Sequence, residues 1–128
     1  MNTLELAKEF ISDRGFRLLD ESDDHVSFKY QMQTFYLWSD ETEKNFFIVT
    51  LPDFADVTDN NIAHVKELCD NINTNMRQVK LYINNNMILA NAELYYLAQE
   101  DFNLQMQTAL RNLITAKVTY RKLNDDFL

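Results

Sequence analysis

VKLYINNNMILANAELYYLAQEDFNLQMQTALRNLITAKVTYRKL, residues 79–123, is the stretch whose reading decides the fold. Val79, Leu81 and Ile83 alternate with Lys80 and Tyr82, the period-two pattern of a strand with one buried face. Asn84, Asn85 and Asn86 follow, and asparagine tolerates the positive φ that a tight hairpin turn requires. The chain returns through Met87 to Leu97, with Ile88, Ala90, Ala92, Leu94 and Tyr96 on one face. Asn91 and Glu93 fall on the other, so that face is expected to meet water near mid-strand. Asp101 reads as a helix N-cap. Beyond it Phe102, Met106, Ala109, Leu110, Leu113 and Tyr120 recur at helical spacing. The stretch predicts a hairpin backed by a closing amphipathic helix.

Upstream, Asn2 or Thr3 can cap a first helix, with Glu5 in capping-box relation to Asn2. Its apolar stripe is Leu4, Ala7, Phe10 and Ile11, and Gly15 stands where a left-handed C′ residue is common. Phe16 to Glu21 predicts a short strand before the acidic run Asp20, Glu21, Asp23 and Asp24. In His25 to Gln31, Val26, Phe28 and Tyr30 share a face opposite Ser27 and Lys29. In Gln33 to Ser39, Phe35 and Leu37 oppose Tyr36 and Trp38, which places a tight turn of undetermined type near Met32. Asp40 to Asn45 is a polar turn. Phe46 to Leu51 is apolar on both faces, as a central strand covered on both sides would be, and Pro52 is expected to close it. Thr58 reads as the next N-cap, followed by Ile62, Val65, Leu68 or Cys69, Ile72 and Met76 on a second amphipathic helix. The order α-β-β-β-β-α-β-β-α with short turns implies an α+β fold, an antiparallel sheet with helices packed mainly on one face.

Composition bounds the answer. With 128 residues the chain is expected to form a single domain, 1–128, since domains typically run about 100–150 residues. Apolar residues make up 46%, which places it with globular chains. Twelve basic against 20 acidic residues give a net charge of −8, the wrong sign for gripping a nucleic-acid backbone or an anionic membrane. That balance suits basic partners, or serves solubility alone. Cys69 is the only cysteine, so no intramolecular disulfide is expected. Met1 to Phe10 carries Glu5, Lys8 and Glu9 and lacks the apolar core of a secretory leader. A cytoplasmic location is the expectation.

No catalytic, cofactor or metal site is expected. His64 and Cys69 are five residues apart, not the spacing that puts two ligands on one helix face. The carboxylate clusters at Asp20–Asp24, Asp40–Glu43 and Asp53–Asp59 match no calcium loop. With one glycine in the chain, glycine-rich phosphate loops and the nucleophile elbow are excluded. What remains is the sheet face opposite the core. On it the strands would present Tyr36, Trp38, Phe46, Ile48, Tyr82, Met87, Leu89 and Tyr95, a candidate interface rich in the residue types that interfaces favour.

Residues 87–122, MILANAELYYLAQEDFNLQMQTALRNLITAKVTYRK, together with the order of elements and the acidic balance, resemble the YbjN-like family. Phe28-Lys-Tyr-Gln, Phe35-Tyr-Leu-Trp and Asn45-Phe-Phe-Ile-Val-Thr-Leu-Pro are similar to that family's run of strands ending in Leu-Pro. Met32 departs from it, standing where a small turn residue is expected. The family shares its fold with the class I type III secretion chaperones. The resemblance implies a small acidic cytoplasmic protein, commonly a dimer, that binds a polypeptide segment and turns over no substrate. The expected function is therefore a non-enzymatic protein-binding module, chaperone-like or regulatory. The partner would be a protein or a second copy, with no nucleic acid and no membrane involved. The alternative is a small-molecule or catalytic pocket between helix and sheet, using His64, Cys69 or Glu93 as polar groups.

Overall fold

The structure, a computed structural model, describes residues 2–127; Met1 and Leu128 lie outside it. Among these residues the elements are α1 (Thr3–Asp13), β1 (Arg17–Glu21), β2 (His25–Tyr30), β3 (Gln33–Ser39), β4 (Phe46–Asp56), α2 (Ile62–Asn75), β5 (Val79–Asn84), β6 (Met87–Tyr95) and α3 (Gln99–Phe127). That is the order expected from the sequence. The strands form one sheet in the spatial order β1-β2-β3-β4-β6-β5, and all neighbouring pairs are antiparallel. The fold is α+β.

Local chemistry sets most boundaries. The Asn2 side chain accepts from the Glu5 N–H at 2.9 Å, so Asn2, not Thr3, caps α1. Thr3 is buried instead, its hydroxyl bonded to the Lys44 carbonyl at 3.0 Å and the Tyr96 hydroxyl at 2.8 Å. Gly15, at φ +71°, ends the helix as expected: its N–H reaches the Ser12 carbonyl and the Phe16 N–H reaches Ile11. These two bonds are the Schellman pattern, with Phe16 packed edge-on against Phe10 at 6.0 Å. The β5–β6 turn holds Asn85 and Asn86 at φ 51° and 63°, the type I′ geometry asparagine favours. The β2–β3 turn has the same geometry at Gln31 and Met32, φ 50° and 63°.

Three boundaries differ from expectation. β4 does not stop at Pro52 but runs to Asp56. Pro52 and Asp53 (φ 47°) lie in the irregularity between Leu51, opposite Ala90, and Ala55, opposite Ile88. A bulge accommodates the missing N–H without ending the strand. α2 begins after Asn61, not after Thr58. Asn61 Oδ1 accepts from the Thr58 N–H at 2.7 Å and its Nδ2 donates to the Asp56 carbonyl at 3.1 Å, so a knotted turn precedes the helix. Ile62, expected on the buried stripe, is 37% exposed as a result. α3 begins at Gln99, and Asp101, already inside it, reaches back to accept from the Leu97 N–H at 2.8 Å. The carboxylate satisfies an orphan donor from within the first turn rather than from the cap.

All three described helices lie on one face of the sheet: α1 over β1–β3, α2 over β5, and α3 over β4, β6 and β5. The core collects Phe28, Phe35, Leu37, Phe47, Val49, Ile88, Ala90, Ala92 and Leu94 from that face and Phe10, Ile72, Phe102, Met106 and Leu113 from the helices. Each such large apolar side chain gains roughly 1.5–3 kcal/mol on burial. β4 is central in the sheet, as expected, but no described helix covers its second face. Phe46 and Ile48 there are half-buried only.

Candidate functional site

Strand register places all eight candidate residues on the helix-free face. β4 contributes Phe46 and Ile48 from the alternate positions to buried Phe47, Val49 and Leu51. By the same alternation β3 contributes Tyr36 and Trp38, β6 contributes Met87, Leu89 and Tyr95, and β5 contributes Tyr82. The register then sorts them into two patches. Trp38 lies opposite Ile48, and Phe46 opposite Tyr95, with Tyr36 beside Trp38. Tyr82 lies opposite Leu89 on the far strands, near Met87. Between the patches runs a largely polar row, buried Ser27, Thr50, Asn91 and Lys80 in register with Tyr36 at the margin of the larger patch, with the Thr50 hydroxyl donating to Asn91 Oδ1 at 2.7 Å. Of the two positions expected to meet water, Glu93 is exposed beside Ile48 in the larger patch, whereas Asn91 is half-buried in the row that divides the face.

The larger patch is held by ring contacts. Tyr36 and Trp38 stack at 5.9 Å and 14°, and Phe46 meets Tyr95 at 4.9 Å. Sequence reasoning missed His25, whose ring lies 4.5 Å from Trp38. Its signal was available: a two-residue turn at Gln31–Met32 registers His25 opposite Trp38. His25 Nδ1 also meets the Ser22 hydroxyl at 2.8 Å and the Asp24 carboxylate at 2.9 Å. The bond from His25, then that from Ser22, holds the Asp24 carboxyl below its ordinary range.

Carboxylates rim this patch. The Tyr95 hydroxyl donates to Glu43 at 2.9 Å, and that bond is the main reason its pKa lies above the usual phenol range. Partial burial adds to the shift, and so do the charges of Glu43, Asp40 and Glu93. Asp40 folds its own turn, accepting from the Thr42 hydroxyl and the Thr42 and Glu43 N–H groups, which lower its pKa.

His64, Cys69 and Glu93 are not brought together. Cys69 is buried in the core, where loss of water pushes its thiol up to about 11, far from a reactive thiolate at neutral pH. His64 Nε2 meets Asn124 Oδ1 at 2.9 Å, tying α2 to α3. Glu93 is exposed on the opposite face of the sheet. A cleft of about 430 Å³ opens at the start of α1, beside Thr3, Asp40, Lys44 and Tyr96, and holds none of the three. No group of three or more His, Cys, Asp or Glu side chains placed to hold a metal occurs among the described residues. No described helix is long and apolar enough to cross a membrane.

No family model and no curated protein matches the sequence. Solved structures do match the architecture. YbjN of E. coli, described as a proposed transcription regulator, superposes with a TM-score of 0.71 at 12% identity, over 98% of this chain and 93% of that one. The fold is YbjN-like. An uncharacterised protein of Methanothermobacter thermautotrophicus shares the YbjN-like fold at a TM-score of 0.66 and 12% identity, over 95% of this chain and 96% of that one. The type III secretion chaperone SycH of Yersinia pestis, solved in complex with a stable fragment of YscM2, follows at 0.61 and 14% identity, over 91% and 97%. The resemblance read from the strand runs and the closing helix is therefore present in three dimensions, and it extends to a secretion chaperone.

Proposed function

We propose that this chain is a non-enzymatic protein-binding module, chaperone-like or regulatory, that works in the cytoplasm as one domain. It takes a polypeptide segment, or a second copy of itself, on the helix-free face of the sheet. The observation that carries this reading is the concentration of Tyr36, Trp38, Phe46, Ile48 and Tyr95 on a face with no helix over it. Tyr95 is 60% exposed and Tyr82 45%, a display of aromatic surface that costs hydration unless a partner covers it. The YbjN-like fold supports it further, since SycH was solved with a polypeptide bound.

The test is sedimentation over a concentration series for the wild type and for Trp38→Ala combined with Tyr95→Ala. Self-association through this face gives a mass near twice 15.2 kDa that falls back towards 15.2 kDa in the variant. Far-UV circular dichroism confirms that the variant is folded. A dimer that survives the double substitution in a folded protein would move the interface elsewhere. A wild type that stays monomeric directs the face to a foreign segment, and the peptide titration below then measures it.

A further inference from the structure

The aromatic patch and the carboxylate rim lie at the same end of the open face. Glu43 is bonded to Tyr95, Glu93 neighbours Ile48 across the strand pair, and Asp24 is bonded to His25 beside Trp38. The described ion pairs are Lys8 with Glu21 and His25 with Asp24, so neither Glu43, Glu93 nor Asp40 is matched by a lysine or arginine among the described residues. The lysines of this face sit elsewhere. Lys80 is on the edge strand, its ammonium donating to the Asn73 carbonyl at 2.9 Å, and Lys29 lies a row beyond Ser27. Aromatic rings attract cations over their faces, and flanking carboxylates strengthen that attraction.

Resting on the docking reading above, we propose that this end of the face binds an extended segment of a partner protein carrying arginine or lysine among apolar side chains. The apolar side chains cover Trp38, Ile48 and Phe46, while the cations lie against Tyr95 and pair with Glu43 and Glu93. Charge decides against a second copy here. Two molecules of net charge −8 meeting at this end would press matching carboxylates together. The segment crosses the face and does not add a strand at β5, where the middle of the edge is already engaged. The Asn73 side chain accepts from the Leu81 N–H at 2.7 Å and donates to the Leu81 carbonyl at 3.1 Å, taking two of the groups a new strand would need.

Trp38 is the only tryptophan, so its emission reports on this patch directly. The experiment titrates the full chain with three short synthetic peptides in which leucine alternates with arginine, serine or glutamate. The arginine–leucine peptide is expected to shift Trp38 emission saturably, bind more weakly as salt rises, and bind more tightly than the serine–leucine peptide. Glu43→Gln with Glu93→Gln should weaken it roughly three- to tenfold, the span of two partly exposed ion pairs. Both positions face solvent, and circular dichroism checks that the fold persists. Equal binding of the arginine and serine peptides, lost in Phe46→Ala with Tyr95→Ala, which keeps Trp38 as the reporter, overturns the cationic chemistry and leaves the docking face standing. An emission unmoved by all three peptides overturns both for a foreign segment, and only the sedimentation arm then speaks for the face.

Discussion

Gln31 and Met32 sit at φ 50° and 63°, a conformation in which an L side chain crowds its own backbone at a cost of about 1–2 kcal/mol per residue. Met32 is 93% exposed and packs against nothing that repays this. The residue pair therefore stores strain that Asn–Gly, the usual type I′ pair, would release. Gln31→Asn with Met32→Gly is expected to raise stability by about 1–2 kcal/mol, offset by the greater chain entropy that glycine gives the unfolded state. Urea unfolding should show a higher midpoint at unchanged slope; a midpoint equal to or below the wild type would mean the turn is not strained. The same residues explain why the turn type was illegible. Its position followed from the alternation on either side, but a type I′ turn is read from Asn or Gly, and here the strand register imposes it on residues that do not favour it. The β5–β6 turn, with asparagines in place, was legible for the converse reason.

At the scale of elements, periodicity was readable and endings were not. The buried positions of α3, from Phe102 through Leu113 to Tyr120, and of β6, from Ile88 to Leu94, agree with the apolar spacing, because burial acts on every third or fourth, or every second, residue. Helix starts depend on which of several nearby polar side chains wins. Asn61 displaced Thr58 through a bond to the Asp56 carbonyl, and Asp101 turned back to Leu97, contacts with no sequence period. Edge protection is equally invisible in one dimension. Asn73, on α2, occupies both main-chain groups of Leu81 on the free side of β5, where an unpaired edge invites another chain. Asn73→Leu leaves those half-buried groups unpaired and is expected to cost about 1–3 kcal/mol. Beyond that loss, it should allow edge-to-edge association that grows with concentration. Urea denaturation reads the first effect and light scattering the second. A variant as stable and as dispersed as the wild type would show that the side-chain clamp protects nothing.

For the whole molecule, the layer arrangement was legible from the alternation in β2, β3, β5 and β6, while β4, apolar on both faces, gave no sign of which face the helices leave open. The split of the open face into two patches was not, since it depends on Thr50 and Asn91 meeting across the sheet. The rim of Glu43, Asp40 and Glu93 around Tyr95 likewise exists only after folding. These groups give the molecule a stability profile with two limbs. Asp24 and Asp40 have folded pKa values below the ordinary 3.8, so folding favours their charged forms. Their contribution is full above the unfolded value and is lost as pH falls through the lower, folded one, because the unfolded chain then binds protons more readily. Cys69 runs the other way, raised from 9.0 to about 11 by burial, and Tyr95 is raised by its bond to Glu43. Both favour the protonated, folded form, so their contributions are full below the unfolded pKa values. The contribution of Cys69 declines as pH climbs from about 9 towards 11, and that of Tyr95 as pH rises past its ordinary 10.0, where the unfolded chain sheds its protons first. Between the limbs, acid also relieves self-repulsion as net charge falls from −8 towards the isoelectric point near 4.6. Thermal melting by circular dichroism from pH 3 to 11 should therefore trace a broad plateau with an acid and an alkaline fall. Tyr95→Phe removes the proton without disturbing the ring contact with Phe46, and should flatten part of the alkaline fall while leaving the acid limb in place. An alkaline limb that is unchanged in Tyr95→Phe would show that Glu43 does not hold the Tyr95 proton in the folded protein.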